Sequence, residues 1–255
     1  MFDRVRRSVN RRVSRLQLAA TNLPNGPCRE FYSDASFWRP ERKTRSAWLQ
    51  HAPFAFWLIE KHRPRTIVEL GSHTGYSLLC FCQAIKKLGI DTKVYAVDTW
   101  QGDEHAGFYG EKVLGKLRAY HDPRYGEFST LIRATFDEAL THFEDGSIDL
   151  LHIDGRHFYD DVKYDFSSWR PKLSDRGIVL FHDTQVRKRG FGVYKLWSEV
   201  ASGAPSFEFF HEHGLGVLGC GKDLAPAVTD LLKLRPDSEV ASGVRTVYSR
   251  LGAAC

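Results

Sequence analysis

Two short stretches combine carboxylates and imidazoles in a pattern suited to metal-assisted proton chemistry: His152-Ile153-Asp154-Gly155-Arg156-His157 and Phe181-His182-Asp183-Thr184. Each closes an apolar run that reads as a strand, over 148–153 and 177–181. As adjacent parallel strands they deliver Asp154, His157, His182 and Asp183 to one sheet edge, where two carboxylates and an imidazole suit a divalent cation. His157, with an ordinary imidazole pKa of about 6.5, suits the role of a base near neutral pH. The plainer alternative is that the acids cap helices and His182 is a satisfied polar group. His152, on the strand itself, reads as structural.

A third stretch, Glu69-Leu70-Gly71-Ser72-His73-Thr74-Gly75-Tyr76-Ser77, joins a strand to a helix. Gly71 and Gly75 permit a tight turn, and the free amides at a helix start attract an anionic or carboxylate-bearing ligand. Asp98 ends the next strand, the position from which an acid commonly accepts hydrogen bonds from ribose hydroxyls. A nicotinamide site calls for G-x-G-x-x-G, whereas the equivalent positions are Gly71, His73 and Tyr76, so a dehydrogenase is disfavoured.

The elements that must position these groups follow from the pattern of short apolar runs alternating with helical stretches, which signals a parallel sheet flanked by helices. Strands are expected at 66–70, 93–97, 129–134, 148–153 and 177–181, and helices at 77–88, 134–142, 158–169 and 191–200. Two last strands, 206–210 and 215–219, are joined by His211-Glu212-His213-Gly214, a link short enough only for an antiparallel hairpin. Aromatic-rich residues 28–62 read as helices covering the main domain. Val240, Val244, Val247 and Leu251 mark a C-terminal helix. The stretch from Trp100 to Gly126 exceeds an ordinary connection and, with Asp103, His105, Phe108, Tyr109 and Tyr120, is expected to form the acceptor pocket. The chain divides into a basic helix (1–20), a helical cap (21–63), a main α/β domain (64–220) and a C-terminal helical extension (221–255).

Composition narrows the classes. The chain has 255 residues, 42% hydrophobic and 26% charged, with a net charge of +5. Arg4, Arg6, Arg7, Arg11, Arg12 and Arg15 against Asp3 account for that whole charge, so the rest is neutral and a nucleic-acid-binding surface is not supported. Phe2, Val5, Val9, Val13 and Leu16 give the same segment an apolar stripe, which reads as a contact element for a membrane surface or a second copy of the chain. Five cysteines without a C-x-x-C pair and the lack of a long apolar run point to a reducing, cytoplasmic setting.

Together these residues resemble the class I S-adenosylmethionine-dependent methyltransferases over roughly 64–220. The resemblance implies a Rossmann-like fold, a mostly parallel seven-stranded sheet ending in a reversed hairpin. The loop Glu69 to Ser77 looks like that of catechol-type O-methyltransferases. The stretches 152–161 and 177–184 look like those of the metal-dependent sugar O-methyltransferases of macrolide biosynthesis. By that resemblance Asp154, His182 and Asp183 hold the metal, magnesium or manganese, and His157 is the general base. The same resemblance puts Gly71, Ser72, Gly75 and Ser77 at the methionine end of the cofactor, Asp98 at its ribose and Thr135 by its adenine, with Glu69, Tyr76 and Thr99 also in the cofactor site. The family usually has two acids where this chain has His182-Asp183, which leaves the metal's identity open. The acceptor implied is a hydroxyl of a small molecule, a sugar or a glycan-related compound. A class I enzyme acting on nitrogen and a non-catalytic binding or scaffold protein are the alternatives.

Overall fold

The computed structural model describes residues 28–255. The basic stretch at 1–20 lies outside the described residues. Three 3-10 turns, Arg29–Phe31, Asp34–Phe37 and Leu49–His51, lead to helix α1 (Ala52–His62). Strand β1 (Thr66–Leu70), helix α2 (Tyr76–Leu88) and strand β2 (Lys93–Asp98) come next. A small hairpin of β3 (Gly102–Asp103) and β4 (Gly107–Phe108) precedes α3 (Glu111–Tyr125). Then follow β5 (Ser129–Arg133), α4 (Phe136–Ala139), β6 (Ile148–Ile153), α5 (Tyr159–Trp169) and β7 (Leu173–His182). After α6 (Val193–Ala201) come β8 (Ser206–Phe209), β9 (Leu215–Gly219), α7 (Pro226–Leu232) and α8 (Glu239–Ala253).

Seven strands form one sheet in the order β5-β2-β1-β6-β7-β9-β8. The first five pair in parallel, and β9 runs antiparallel to both β7 and β8. The expected reversed hairpin is therefore present, with Leu215 opposite His182. All six residues of β6 are buried, as a strand covered on both faces requires. Ile67, Val94, Leu150 and Leu180 join the core beneath α1, α2, α7 and α8. Their alternates Val68, Val97, Leu151 and Phe181 join the core beneath α5 and α6. Among the described residues no helix is long and apolar enough to cross a membrane.

One expectation needs correction. Residues 28–51 form 3-10 turns and irregular chain rather than helices, because their aromatics fall in clusters without a helical period; α1 alone is an α-helix there. The connection 100–126, expected only as an unusually long link, is built from the hairpin and the 15-residue α3. That helix buries Leu114, Leu117, His121 and Tyr125 at spacings of three and four, a stripe obscured by its polar remainder and by Gly115 and Pro123.

Candidate active site

The strand order reverses between β1 and β6, the place where open α/β sheets bind ligands beyond the carboxyl ends of their strands. Here the loop after β1 touches the chain leaving β6. Gly71 has φ +87°, its N–H bonds the Val97 carbonyl at 2.9 Å, and a Cβ on it would lie 2.2 Å from the Asp154 carbonyl oxygen. The Asp154 N–H in turn donates to Leu70 O at 2.8 Å. His73, Trp100 and Asp183, the non-glycine residues with φ of 47°, 53° and 64°, stand just beyond the ends of β1, β2 and β7. Such conformations are costly and persist where surrounding structure enforces them.

Gly71, Asp98, Thr99 and Thr135 line one cleft of ≈ 230 Å³, which extends to Asp154 and His157. Asp98 is held in place by backbone donors, accepting from Ser72 N at 3.0 Å, His73 N at 2.9 Å and Trp100 N at 2.6 Å. The hairpin adds Gly102, Asp103, Ala106 and Tyr109 to the walls. Thr135 caps α4, its hydroxyl exchanging hydrogen bonds with Glu138.

The other positions assigned to the cofactor do not line this cleft. Glu69 is fully buried and its carboxylate faces inward, accepting from Ser72 Oγ at 2.7 Å, from Ser77 Oγ, and from His152 Nδ1 at 2.9 Å. Glu69 and His152 are register partners on β1 and β6, so the contact follows from the sheet itself. Tyr76 donates to Leu49 O at 3.1 Å, and Gly75 begins α2 with φ +79°, pressed against Leu117. Glu69, Ser72, Gly75, Tyr76 and Ser77 therefore hold the loop's shape, because the short side chains and the acid satisfy one another beneath it. Glu69→Leu is expected to destabilise the fold by about 3 kcal/mol or more, since it strands several buried donors at about 1–3 kcal/mol each. Urea unfolding of the variant checks this.

The four groups expected at the sheet edge do converge. Asp154, His182 and Asp183 each offer a ligand atom, all within 4.8 Å of one another. His182 Nδ1 lies 3.0 Å from Asp154 Oδ1 and 3.2 Å from Asp183 Oδ2. His157 Nε2 lies 2.8 Å from Asp183 Oδ2 and 3.7 Å from Asp154 Oδ1. Its ring is stacked on Phe191, with centroids 4.5 Å apart and an interplanar angle of 13°, and meets His105 at 5.2 Å. Burial opposes charge on His157, but hydrogen bonding and attraction from Asp154 and Asp183 raise its pKa to about 9. Burial likewise opposes charge on His182, and the two acids raise it well above the ordinary histidine value. Burial favours protonated Asp154, yet His182 and His157 hold its pKa at about 2, and Asp183 is lowered by the same kind of partners.

His213 was missed by sequence reasoning. It sits in the β8–β9 link with Nδ1 2.8 Å from Asp183 Oδ1. The available signal was topological: a hairpin whose last strand pairs with β7 must set its link beside the carboxyl end of β7.

Seven strands in this order form the Rossmann-like fold of class I methyltransferases, and residues 68–184 match the family model described as a methyltransferase domain. The chain is 55% identical over 194 aligned residues, 76% of its length, to the uncharacterized protein y4gI of Sinorhizobium fredii, and spans only 21% of that relative. Among solved structures, the candidate caffeoyl-CoA O-methyltransferase of Staphylococcus aureus shares 17% identity and a TM-score of 0.54, over 71% of this chain and 86% of that one. The S-adenosylhomocysteine-bound methyltransferase PaMTH1 of Podospora anserina shares 15% identity and a TM-score of 0.52, over 83% and 95%. Both likenesses concern the fold.

Proposed function

We propose that the chain is a metal-dependent O-methyltransferase that transfers the methyl group of S-adenosylmethionine to a hydroxyl of a small polar acceptor, a sugar or glycan-related compound. The observation carrying this reading is the convergence of Asp154, His182 and Asp183 with His157, of which Asp154 and His157 line the same cleft as Gly71 and Asp98. The donors suit a divalent cation: two carboxylates in reach of one imidazole, with the His182 Nε2 atom buried and unpartnered behind. One imidazole among oxygen donors favours manganese or a later transition metal over magnesium.

Each residue has a task in this reading. The bare Gly71 backbone lets the methionine end of the cofactor approach, and Asp98 meets the ribose. Asp154, His182 and Asp183 would hold the cation, whose Lewis acidity would lower the pKa of an acceptor hydroxyl. His157 presents Nε2 toward the same point, its ring stacked on Phe191, and would receive the hydroxyl proton once a bound cation offsets the two acids that hold the imidazole protonated. Because the nucleophile and methyl donor enter from adjacent strand ends, alignment supplies much of the rate gain.

The test is methyl transfer from labelled S-adenosylmethionine to a panel of sugars and polyols, before and after chelation, with manganese or magnesium restored. Loss on chelation and recovery with the ion support the reading; undiminished transfer after chelation refutes the metal's part. Metal binding should also depend on pH. Asp154 and Asp183 shift both His182 and His157 toward the protonated form when no metal is bound, and a proton on His182 Nδ1 would compete with the ion. Manganese affinity is expected to rise between pH 6 and 9, with proton release on binding, measured by calorimetry in buffers of different ionisation enthalpy.

A further inference from the structure

We propose that His213 is a positioning residue for the metal centre: its Nδ1–H binds Asp183 Oδ1 and thereby turns Oδ2 toward the ion. The inference rests on the reading of Asp154, His182 and Asp183 as a divalent-cation site. The division of labour at Asp183 is visible in the contacts. Oδ2 faces His157 Nε2 at 2.8 Å and His182 Nδ1 at 3.2 Å, whereas Oδ1 faces His213 Nδ1 at 2.8 Å. His213 does not belong to the set of ligand atoms lying within 4.8 Å of one another, which separates holding the ligand from being one. Partners of this kind orient metal-bound side chains, and their loss commonly weakens metal affinity about 10–100-fold.

The link that carries His213 is built to keep it there. Asp183 N donates to Gly214 O at 3.1 Å, and Gln185 N donates to His213 O at 2.8 Å. Gly214 adopts φ +87°, and a Cβ on it would lie 2.6 Å from Thr184 Oγ1 and 2.7 Å from Gln185 N. The His213 ring lies nearly parallel to that of His182, at 18° and 6.1 Å between centroids, while its side chain remains 47% exposed. A half-exposed imidazole has little packing reason to be fixed so closely. The reversed hairpin thus serves the centre directly, by setting a donor against the one carboxylate that the left-handed turn after β7 presents.

The test compares manganese uptake by the wild type, His213→Ala, His213→Gln and His213→Asn, followed by the electron paramagnetic resonance signal of free ion. Binding of S-adenosylhomocysteine is measured on each as a check of the fold. The asparagine amide can stand where Nδ1–H stands, whereas glutamine of similar polarity places its amide farther out. The alanine and glutamine variants are expected to bind manganese about 10–100-fold more weakly, and asparagine within about 3-fold of wild type, all with unchanged S-adenosylhomocysteine affinity. Wild-type manganese affinity in the alanine or glutamine variant overturns the proposal and leaves the metal centre standing, as does an asparagine variant as weak as alanine. No uptake by the wild type removes the metal reading itself, and this proposal with it.

Discussion

Gly71→Val is expected to abolish S-adenosylhomocysteine binding, a loss of at least about 100-fold by calorimetry. The glycine has φ +87°, and its missing Cβ would stand 2.2, 2.7 and 2.9 Å from three backbone atoms, Asp154 O, Asp154 C and Gly155 N. A flexible side chain could turn aside, but backbone at the end of a fully buried strand cannot yield without moving Asp154 itself. The strain of a branched residue in the left-handed region adds to the clash. Gly89 supplies the control: at φ +60° its added Cβ meets nothing within 4 Å, so Gly89→Ala should cost about 1 kcal/mol and leave binding intact. Wild-type affinity in the valine variant would remove the loop from the cofactor site.

His157→Ala is expected to lower methyl transfer by about 10²–10⁴-fold, the usual share of a positioned base, while S-adenosylhomocysteine still binds. Asp154→Ala should instead remove the response to added metal, because its carboxylate is one of three groups around the proposed ion site. The two variants separate proton transfer from metal binding, and steady-state rates with manganese titrated into each enzyme read both. A His157→Ala enzyme with wild-type turnover would show that solvent takes the proton.

The parallel order of the sheet and the convergence at its edge were legible because they depend on short-range features: β-branched apolar runs, and the residues that immediately follow them. Asp154 and Asp183 needed only the inference that their strands are neighbours, which β6 and β7 are. What the sequence hid was direction. A side chain beside a glycine-rich turn faces either the ligand or the strand beneath, and Glu69 faces inward because His152 stands beside it in register. The helix at 111–125 was obscured for another reason. It shields a narrow stripe with mostly polar residues, so its period is faint, and tertiary contacts override its glycine and proline. His213 lies in a link whose importance arises only when the hairpin is laid against β7.

The contact between Gly71 and the Asp154 backbone has a thermodynamic consequence. Leu70 O accepts from Asp154 N, so the chain that shapes the proposed cofactor loop and the chain that carries the proposed metal ligand Asp154 share one hydrogen-bonded seam. Any displacement of that seam by one ligand changes the free energy of binding the other, and linkage makes the effect reciprocal. The factor by which the cofactor product alters manganese affinity must equal the factor by which manganese alters affinity for the product. If binding shifts the seam, occupancy of either proposed half-site would therefore be felt at the other without a moving domain between them.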